Sequence, residues 1–502
     1  MINTEGPAWL RRIDRVLNLL DRPAVIFILL IPALLQWLVP LIRSHLWLDE
    51  AVTWWVTNHG LRELIERCTV WPGSILYNGI MLLLRTLGAH SEWLLRLPSL
   101  VAALLTAGVL FDLAKRWFSS QVAIAALVFF CVQPWVSFTA TDARPYAIGL
   151  LVVVVSTWLL LRWIERAGTG LACAYGISAG LIVHFHMLFA TVLVVHALFL
   201  LVALPRNRER RRECGMAVSM VAIMALPLLP QYAHAFRDRK VHTFYTARTL
   251  AEFGRQFLPT VPMFAAAVSA AFLPRLRPIQ RHQIARNPIV LAILWAVVPM
   301  SLLYVAALLT GSDLFVGRYV LPSVPGLVLC FGLILEYLSP RLRTGLVLFI
   351  FLVPRAIDCW PRQDFPTHTT SGDWASAISF IDHENRNTRL PALMRSPFPE
   401  SDYWEWQSAP MNDSSLYAPL AYYRSSTDWR PLPATFTPAA ARAIDTLLER
   451  TSVAGQGFYF AELQKPGVTG DYVAYFRQRM PPAAEIKELG TFEGVHVFRL
   501  RW

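Results

Sequence analysis

The stretch Ile75-Leu-Tyr-Asn-Gly-Ile-Met-Leu-Leu-Leu-Arg-Thr-Leu87 decides how this chain is arranged about a membrane. It is apolar but falls short of the ~20 residues a transmembrane helix needs, and Asn78 and Arg85 interrupt it. Around it lie eleven longer apolar runs: 23–43, 94–113, 121–138, 146–164, 171–186, 187–204, 215–233, 259–274, 289–310, 320–338 and 344–360. If 75–87 does not span, six basic groups share one side. They are Arg11/Arg12/Arg15/Arg22, Lys115/Arg116, Arg162/Arg166, the run 206–212, Arg275/Arg277/Arg281/Arg286 and Arg341/Arg343. If it does span, every group after the first moves to the other side, against the positive-inside bias. The segment therefore reads as an interfacial helix, with the N-terminus cytoplasmic and the C-terminus outside. The expected location is a membrane that the chain crosses several times.

Composition supports this reading. Of 502 residues, 55% are apolar and 16% charged, where a soluble protein carries about 25%. Eighteen Trp fit a bilayer interface. Soluble-enzyme and disordered classes are excluded. The net charge of +12 sits largely in short loops and does not imply nucleic acid. The six cysteines, Cys68, Cys131, Cys173, Cys214, Cys330 and Cys359, show no CxxC spacing and suggest neither a disulfide framework nor a cysteine metal site. The apolar run after Arg22 is long enough to span and lacks a small-residue cleavage motif.

The parity places on the outer face a loop 44–93, short loops near 139–146 and 311–319, a break at His184–His186, and a loop 234–258. In the first, Ala51–Val56 and Leu61–Ile65 form an apolar face that hugs the membrane, with Trp54 and Trp55 at headgroup level. The last carries Arg237, Arg239, Lys240, Arg248 and Arg255, a basic patch that either an anionic ligand or anionic headgroups would explain. The run 206–212 reads as a topogenic cytoplasmic loop. From residue 361 the composition changes, and 361–502 reads as a mixed α/β domain with helices at Asp373–His383, Ala418–Tyr423, Pro438–Arg450 and Asp471–Arg479. Its strands are expected at Leu390–Met394, Gly457–Ala461, Ile486–Phe492 and His496–Trp502. The domain expectation is thus a membrane domain over 1–360, with outer interfacial helices in 44–93, and an extracytoplasmic domain over 361–502.

Two acidic clusters fall on the outer face, each at a helix end: Leu46-Trp47-Leu48-Asp49-Glu50-Ala51 and Thr141-Asp142-Ala143-Arg144-Pro145-Tyr146. Acids at a membrane boundary are costly unless paired, solvated or metal-bound. Alone, the first reads as the cap of an interfacial helix and the second as an Asp–Arg pair anchoring a loop. Together, Asp49 and Asp142 could deprotonate a hydroxyl or bind a divalent cation, with arginines holding a phosphate. Arg318 and Tyr319 lie at the outer mouth of a span, as phosphate ligands or ordinary interfacial anchors. His184 and His186 read as a polar seam more readily than as metal ligands. Asp313 and Glu252 are assigned nothing.

An ordered series of short motifs resembles the GT-C superfamily of polytopic glycosyltransferases, especially protein mannosyltransferases (glycosyltransferase family 39) and lipid A aminoarabinose transferases. The series is LWLDEAVT (46–53), PGSILY (72–77), LRLPSL (95–100), TDARPYA (141–147), HFH (184–186), GRYVLPSVP (317–325) and DWASAISFI (373–381). Two departures stand out: Trp71-Pro72-Gly73 where many relatives have His-Pro-Pro, and Asp142 where Glu is common.

The resemblance implies an α-helical polytopic membrane protein of GT-C architecture with a C-terminal extracytoplasmic α/β domain. It implies an inverting transferase that takes a sugar from a polyprenyl phosphate to an extracytoplasmic hydroxyl on a protein, lipid or envelope glycan. Asp49 would activate the acceptor directly or through a divalent cation such as Mg2+ or Mn2+, and Asp142 would be the second acid or share the ion. Glu50, Tyr77, Arg144, Tyr146, His186, Arg318 and Tyr319 would bind substrate. The competing readings are a lipid or solute transporter or flippase, which needs broken helices at the bilayer midplane, and a non-catalytic envelope scaffold.

Overall fold

The structure is a computed structural model. It describes residues 40–70, 74–204, 208–237, 286–312, 314–336, 372–452, 457–463, 471–480 and 484–502, with isolated positions at 31–38, 249–253, 338 and 482. In chain order the described helices begin with α1 (Leu48–Val56), α2 (Leu61–Val70), α3 (Ile75–Thr86), α4 (Glu92–Trp117), α5 (Ser120–Val132) and α6 (Pro134–Ala140). There follow α7 (Tyr146–Glu165), α8 (Thr169–Phe185), α9 (Thr191–Ala203), α10 (Arg208–Ala225), α11 (Leu229–Arg237), α12 (Arg286–Thr310) and α13 (Val324–Glu336). The C-terminal part adds α14 (Trp374–Asn385), α15 (Ala418–Tyr422), α16 (Pro438–Ser452) and α17 (Asp471–Arg479). Its strands are β1 (Ala392–Arg395), β2 (Trp429–Leu432), β3 (Gly457–Leu463), β4 (Glu485–Phe492) and β5 (Val495–Arg501). Two compact units result, one of residues 1–41, 96–235 and 243–362, the other of 42–95, 236–242 and 363–502.

The first unit is a helical bundle around an apolar core. Among the described residues four helices are long and apolar enough to cross a membrane: Glu92–Trp117, Tyr146–Glu165, Arg208–His234 and Arg286–Thr310. The chain is a multi-pass membrane protein. The run 121–138, expected as one span, is two helices bent by 67°. Pro134, the first residue of α6, lacks the N–H that would continue α5 and breaks it there. The runs 171–186, 187–204 and 320–338 form shorter apolar helices, Thr169–Phe185, Met187–Ala203 and Leu321–Glu336. The runs 259–274 and 344–360 lie outside the described residues, as does most of 23–43. So do Trp71-Pro72-Gly73, Arg239, Lys240, Arg248, Glu252, Arg255 and Asp313.

Small residues let these helices approach. A Cβ on Gly176 would meet Ala217 O at 2.7 Å, and one on Gly180 would meet Met224 Cβ at 2.6 Å. This small-xxx-small seam brings α8 against α10 backbone to backbone. The basic run 206–212 is not wholly a loop, because 208–212 open α10. Arg210, 7% exposed, donates to the carbonyls of Trp163 (2.8 Å) and Ile164 (2.9 Å) and pairs with Glu213 at 3.1 Å. It satisfies the orphan carbonyls at the end of α7.

In the second unit, Ile75–Thr86 form the short helix α3. Its twelve residues rise about 18 Å, against a hydrocarbon core of about 30 Å. Its polar residues point into protein: Asn78 donates to Cys68 Sγ at 3.3 Å, and Arg85 donates to the Thr57 carbonyl and to Asn58 Oδ1. Leu76, Ile80, Leu83 and Leu87 stay exposed, an apolar stripe that suits a helix lying in an interface. Trp54 and Trp55 pack against cationic side chains of their own unit. Trp55 is 8% exposed under Arg67, whose guanidinium carbon is 4.2 Å from the ring centre. Trp54 sits beneath Arg85 at 3.7 Å and edge-on to Tyr422 at 4.9 Å. These cation–π contacts are worth ~0.5–2 kcal/mol each and hold both indoles inside.

The C-terminal sheet has the order β2-β1-β3-β5-β4, with β1 parallel to β2 and β3, and β5 antiparallel to β3 and β4. The strand β2 went unread in the sequence because it holds Pro431, which a sheet tolerates at an edge. The β4–β5 hairpin turns through Glu493 (φ 45°) and Gly494 (φ 91°), the left-handed pair of a tight hairpin turn. At the start of α14 the Asp373 carboxylate accepts the Ser376 amide at 2.9 Å, an N-cap.

Candidate active site

In the bundle, three chain segments bring the expected residues together. The first is the turn 141–145. Asp142 is fully buried, and the Arg144 amide donates to its carbonyl at 2.8 Å. Ser99, from the LRLPSL motif, donates its hydroxyl to the same carbonyl at 2.6 Å, so one motif fixes the backbone of another. Pro145 then supplies the helical φ that starts α7 at Tyr146.

The second segment is the break after α8. Its last helical residue is Phe185, and His186 is extended (φ −156°, ψ 118°) before a short 3-10 turn, Met187–Ala190. The break expected at His184–His186 is present, and the two rings diverge in role. His184 Nε2 lies 2.7 Å from the Met224 carbonyl, a helix-to-helix tie. His186 lies 5.1 Å from Tyr146 and 5.3 Å from Tyr319, centre to centre, and its buried Nδ1 has no hydrogen-bond partner among the described residues.

The third segment is 317–323. The Arg318 guanidinium stands over Tyr319 (5.4 Å) and Tyr146 (5.9 Å). Gly317 is required here: a Cβ would fall 1.7 Å from the Trp135 indole. The 3-10 turn that follows, Leu321–Ser323, is pinned by Trp295 Nε1 donating to the Pro322 carbonyl at 2.8 Å. Asp142, Arg144, Tyr146, His186, Arg318 and Tyr319 thus occupy turns and helix ends built into one bundle. Ser99, Trp135, Trp295 and the buried Arg96 were not singled out from the sequence, although Ser99 and Arg96 lie within LRLPSL.

In the second unit, Asp49 occupies the first turn of α1 and is half-buried. Glu50 is 1% exposed, and its Oε2 accepts the Trp47 amide at 3.2 Å; it caps the helix. Tyr77 is 1% exposed. The chain entering α1 is held by a small network: the Leu46 amide donates to the Tyr423 hydroxyl at 2.8 Å and to Glu92 Oε1 at 3.3 Å, and that hydroxyl donates to Glu92. His45 Nδ1 lies 3.2 Å from the same oxygen. Burial and the adjacent Glu92 carboxylate push the Tyr423 phenol far above its usual pKa, so it stays a proton donor. Farther along, Asp413 accepts both from Arg67 Nη2 (3.0 and 3.1 Å) and from His59 (3.0 Å). The C-terminal segment therefore braces the helix that carries Asp49.

Among the described residues no three His, Cys, Asp or Glu side chains cluster as a metal-binding set.

Residues 74–233 match the family described as dolichyl-phosphate-mannose-protein mannosyltransferase. The fold is similar to that of ArnT from Cupriavidus metallidurans in the apo state, at 13% identity and TM-score 0.55, covering 94% of this chain and 97% of that one. The same protein bound to undecaprenyl phosphate is similar at 14% identity and TM-score 0.55, with the same coverage. The chain has the GT-C glycosyltransferase fold. No curated protein matches it in sequence at a significant level. The GT-C likeness runs through both units, so the C-terminal sheet is part of it rather than an appendage.

Proposed function

We propose that the protein is an inverting glycosyltransferase that moves a sugar from a polyprenyl phosphate to an acceptor hydroxyl on the extracytoplasmic side. The observation that carries this reading is the bundle cluster: two arginines, Arg144 and Arg318, with Tyr146, His186 and Tyr319 around the turn of the buried Asp142. Fixed cations in a water-poor site suit a departing lipid phosphate, because they stabilise the charge that develops on it without reorganising. Arginine can also grip phosphate through two N–H groups. Undecaprenyl phosphate is what the similar ArnT structure holds.

In this account Asp49 takes the proton from the acceptor hydroxyl. The oxygen attacks the anomeric carbon from the face opposite the phosphate, and the bond to the phosphate oxygen breaks. The polyprenyl phosphate leaves with the electron pair, and the anomeric configuration inverts. Asp142 orients the sugar and balances the arginines. Glu50 acts through the α1 cap. The orientation follows from the charge bias, and nucleotide sugars are absent outside the cytoplasm, which favours a lipid-borne donor.

The test is lipid retention. Full-length protein purified in mild detergent should carry polyprenyl phosphate detectable by mass spectrometry, and Arg318→Gln and Arg144→Gln should each lower its occupancy severalfold. Equal occupancy in wild type and both variants would remove the arginines from the donor site.

A further inference from the structure

A second feature lies within the unit that carries Asp49. A cleft of about 860 Å3 opens between α14, the segment 42–45, the start of α4 and the end of α15. Helix α14 buries Trp374, Ala377, Ile378 and Ile381 against the C-terminal domain and turns the opposite stripe, Ser376, Ser379, Phe380 and His383, into this cleft. Such i, i+3, i+4, i+7 spacing makes one helix face. Across the opening stand Ser91 and Trp93, and Tyr422 and Tyr423 complete the lining.

The chemistry of the lining narrows the ligand. Among the described residues no lysine or arginine lines it, which offers a phosphate or sulfate little counter-charge. The one lining carboxylate, Glu92, is engaged through Oε1 by His45, Leu46 and Tyr423. The α14 wall exposes the Ser379 hydroxyl and the His383 imidazole beside the apolar Ile42, Phe380 and Phe492. Beside these groups Trp93 is 47% exposed, an open ring face. Hydroxyl-rich ligands with apolar C–H faces need this pairing of donors and acceptors with an aromatic platform. The volume lies within the ~300–1,000 Å3 of small-molecule sites.

We infer that this cleft binds the saccharide part of the acceptor, with Trp93 as the platform and Ser379 and His383 reading hydroxyls; the inference rests on the glycosyltransferase reading for the word acceptor, while the cleft's affinity for saccharide does not. It also gives the C-terminal domain a task, since α14 is the DWASAISFI motif and supplies one wall.

The experiment uses full-length Asp49→Asn protein in detergent, so that bound saccharide is not turned over, on an immobilised panel of bacterial envelope oligosaccharides with a panel of unstructured peptides beside it. At least one oligosaccharide should bind. Trp93→Ala and the double variant Ser379→Ala/His383→Ala should each weaken it tenfold or more, with the tryptophan-fluorescence melting midpoint and the retained polyprenyl phosphate unchanged. Unchanged affinity in both variants, binding to peptides alone, or no saccharide bound would each overturn the inference. Failure of the wider reading shows differently: if the unmodified protein and Asp49→Asn transfer sugar equally, Asp49 loses its role whether or not the cleft binds saccharide.

Discussion

At the residue scale, the site depends on side chains whose own chemistry is structural. Gly317 carries no functional group, yet the Trp135 indole fills the space where a Cβ would sit, and Arg318 is its neighbour. Overpacking of this kind costs ~1–3 kcal/mol. Gly317→Ala is therefore expected to lower the melting midpoint and to displace Arg318, reducing retained polyprenyl phosphate. A Gly317→Ala protein with wild-type melting and wild-type lipid would contradict the tight approach. Tyr423 is the corresponding residue beside Asp49. Its hydroxyl is both acceptor for the Leu46 amide and donor to Glu92, so Tyr423→Phe leaves buried groups short of a partner at a cost of ~1–3 kcal/mol. Hydrogen exchange at residues 46–52 should quicken in that variant while exchange in α7 stays unchanged; equal rates at 46–52 would remove the brace. Neither role was visible from the sequence. GRYVLPSVP contains Gly317, but its partner lies 182 positions upstream, and Tyr423 reaches a segment 377 positions away.

At the element scale, local rules carried most of the reading. The C-terminal helices and four of its five strands fall where periodicity, capping and turn residues put them, with α17 at Asp471–Arg479 as expected and β3 two residues longer than expected. The hairpin β4–β5 also predicts a pH response. The Thr491 hydroxyl and then His496 hydrogen-bond Glu488 and hold its carboxyl below the usual value. Its contribution is thus present above the unfolded-state pKa of ~4.3 and is lost as pH falls through the lower folded value. Glu493 in the turn is pushed the other way, by burial and then by the Asp373 charge, so its term weakens the fold as pH rises. The readout is therefore the difference between wild type and Glu488→Gln: amide exchange in 485–501 should favour wild type near pH 6, with the gap closing towards pH 3. A gap constant across that range would mean that Glu488 does not titrate with the fold. The elements that departed from expectation did so for tertiary reasons. The run 121–138 breaks at Pro134, set between Gln133 and Trp135, and Arg85 and Arg67 reach over Trp54 and Trp55.

At the scale of the whole molecule, the short helix over 75–86, the long apolar helices and the terminal sheet all belong to one GT-C fold. The multi-pass helical class was legible because long apolar runs report directly on the bilayer. The candidate site was legible only as clusters: Asp142, Arg144, His186 and Arg318 lie in motifs spread over almost 180 residues. The props that orient them, Ser99, Trp135 and Trp295, look like ordinary apolar-segment residues until the helices are packed. Glu50 shows the converse, an acid adjacent to Asp49 that the fold uses as a cap.

The central claim, sugar transfer from a lipid phosphate with Asp49 as the base, is tested most directly by supplying a polyprenyl-phosphate sugar and an acceptor to the purified protein and following product and its anomeric configuration by NMR. The account predicts a product of inverted configuration and a rate about 100- to 10,000-fold lower in Asp49→Asn, the range of a lost general base. Retained configuration, or undiminished transfer by Asp49→Asn, would contradict it.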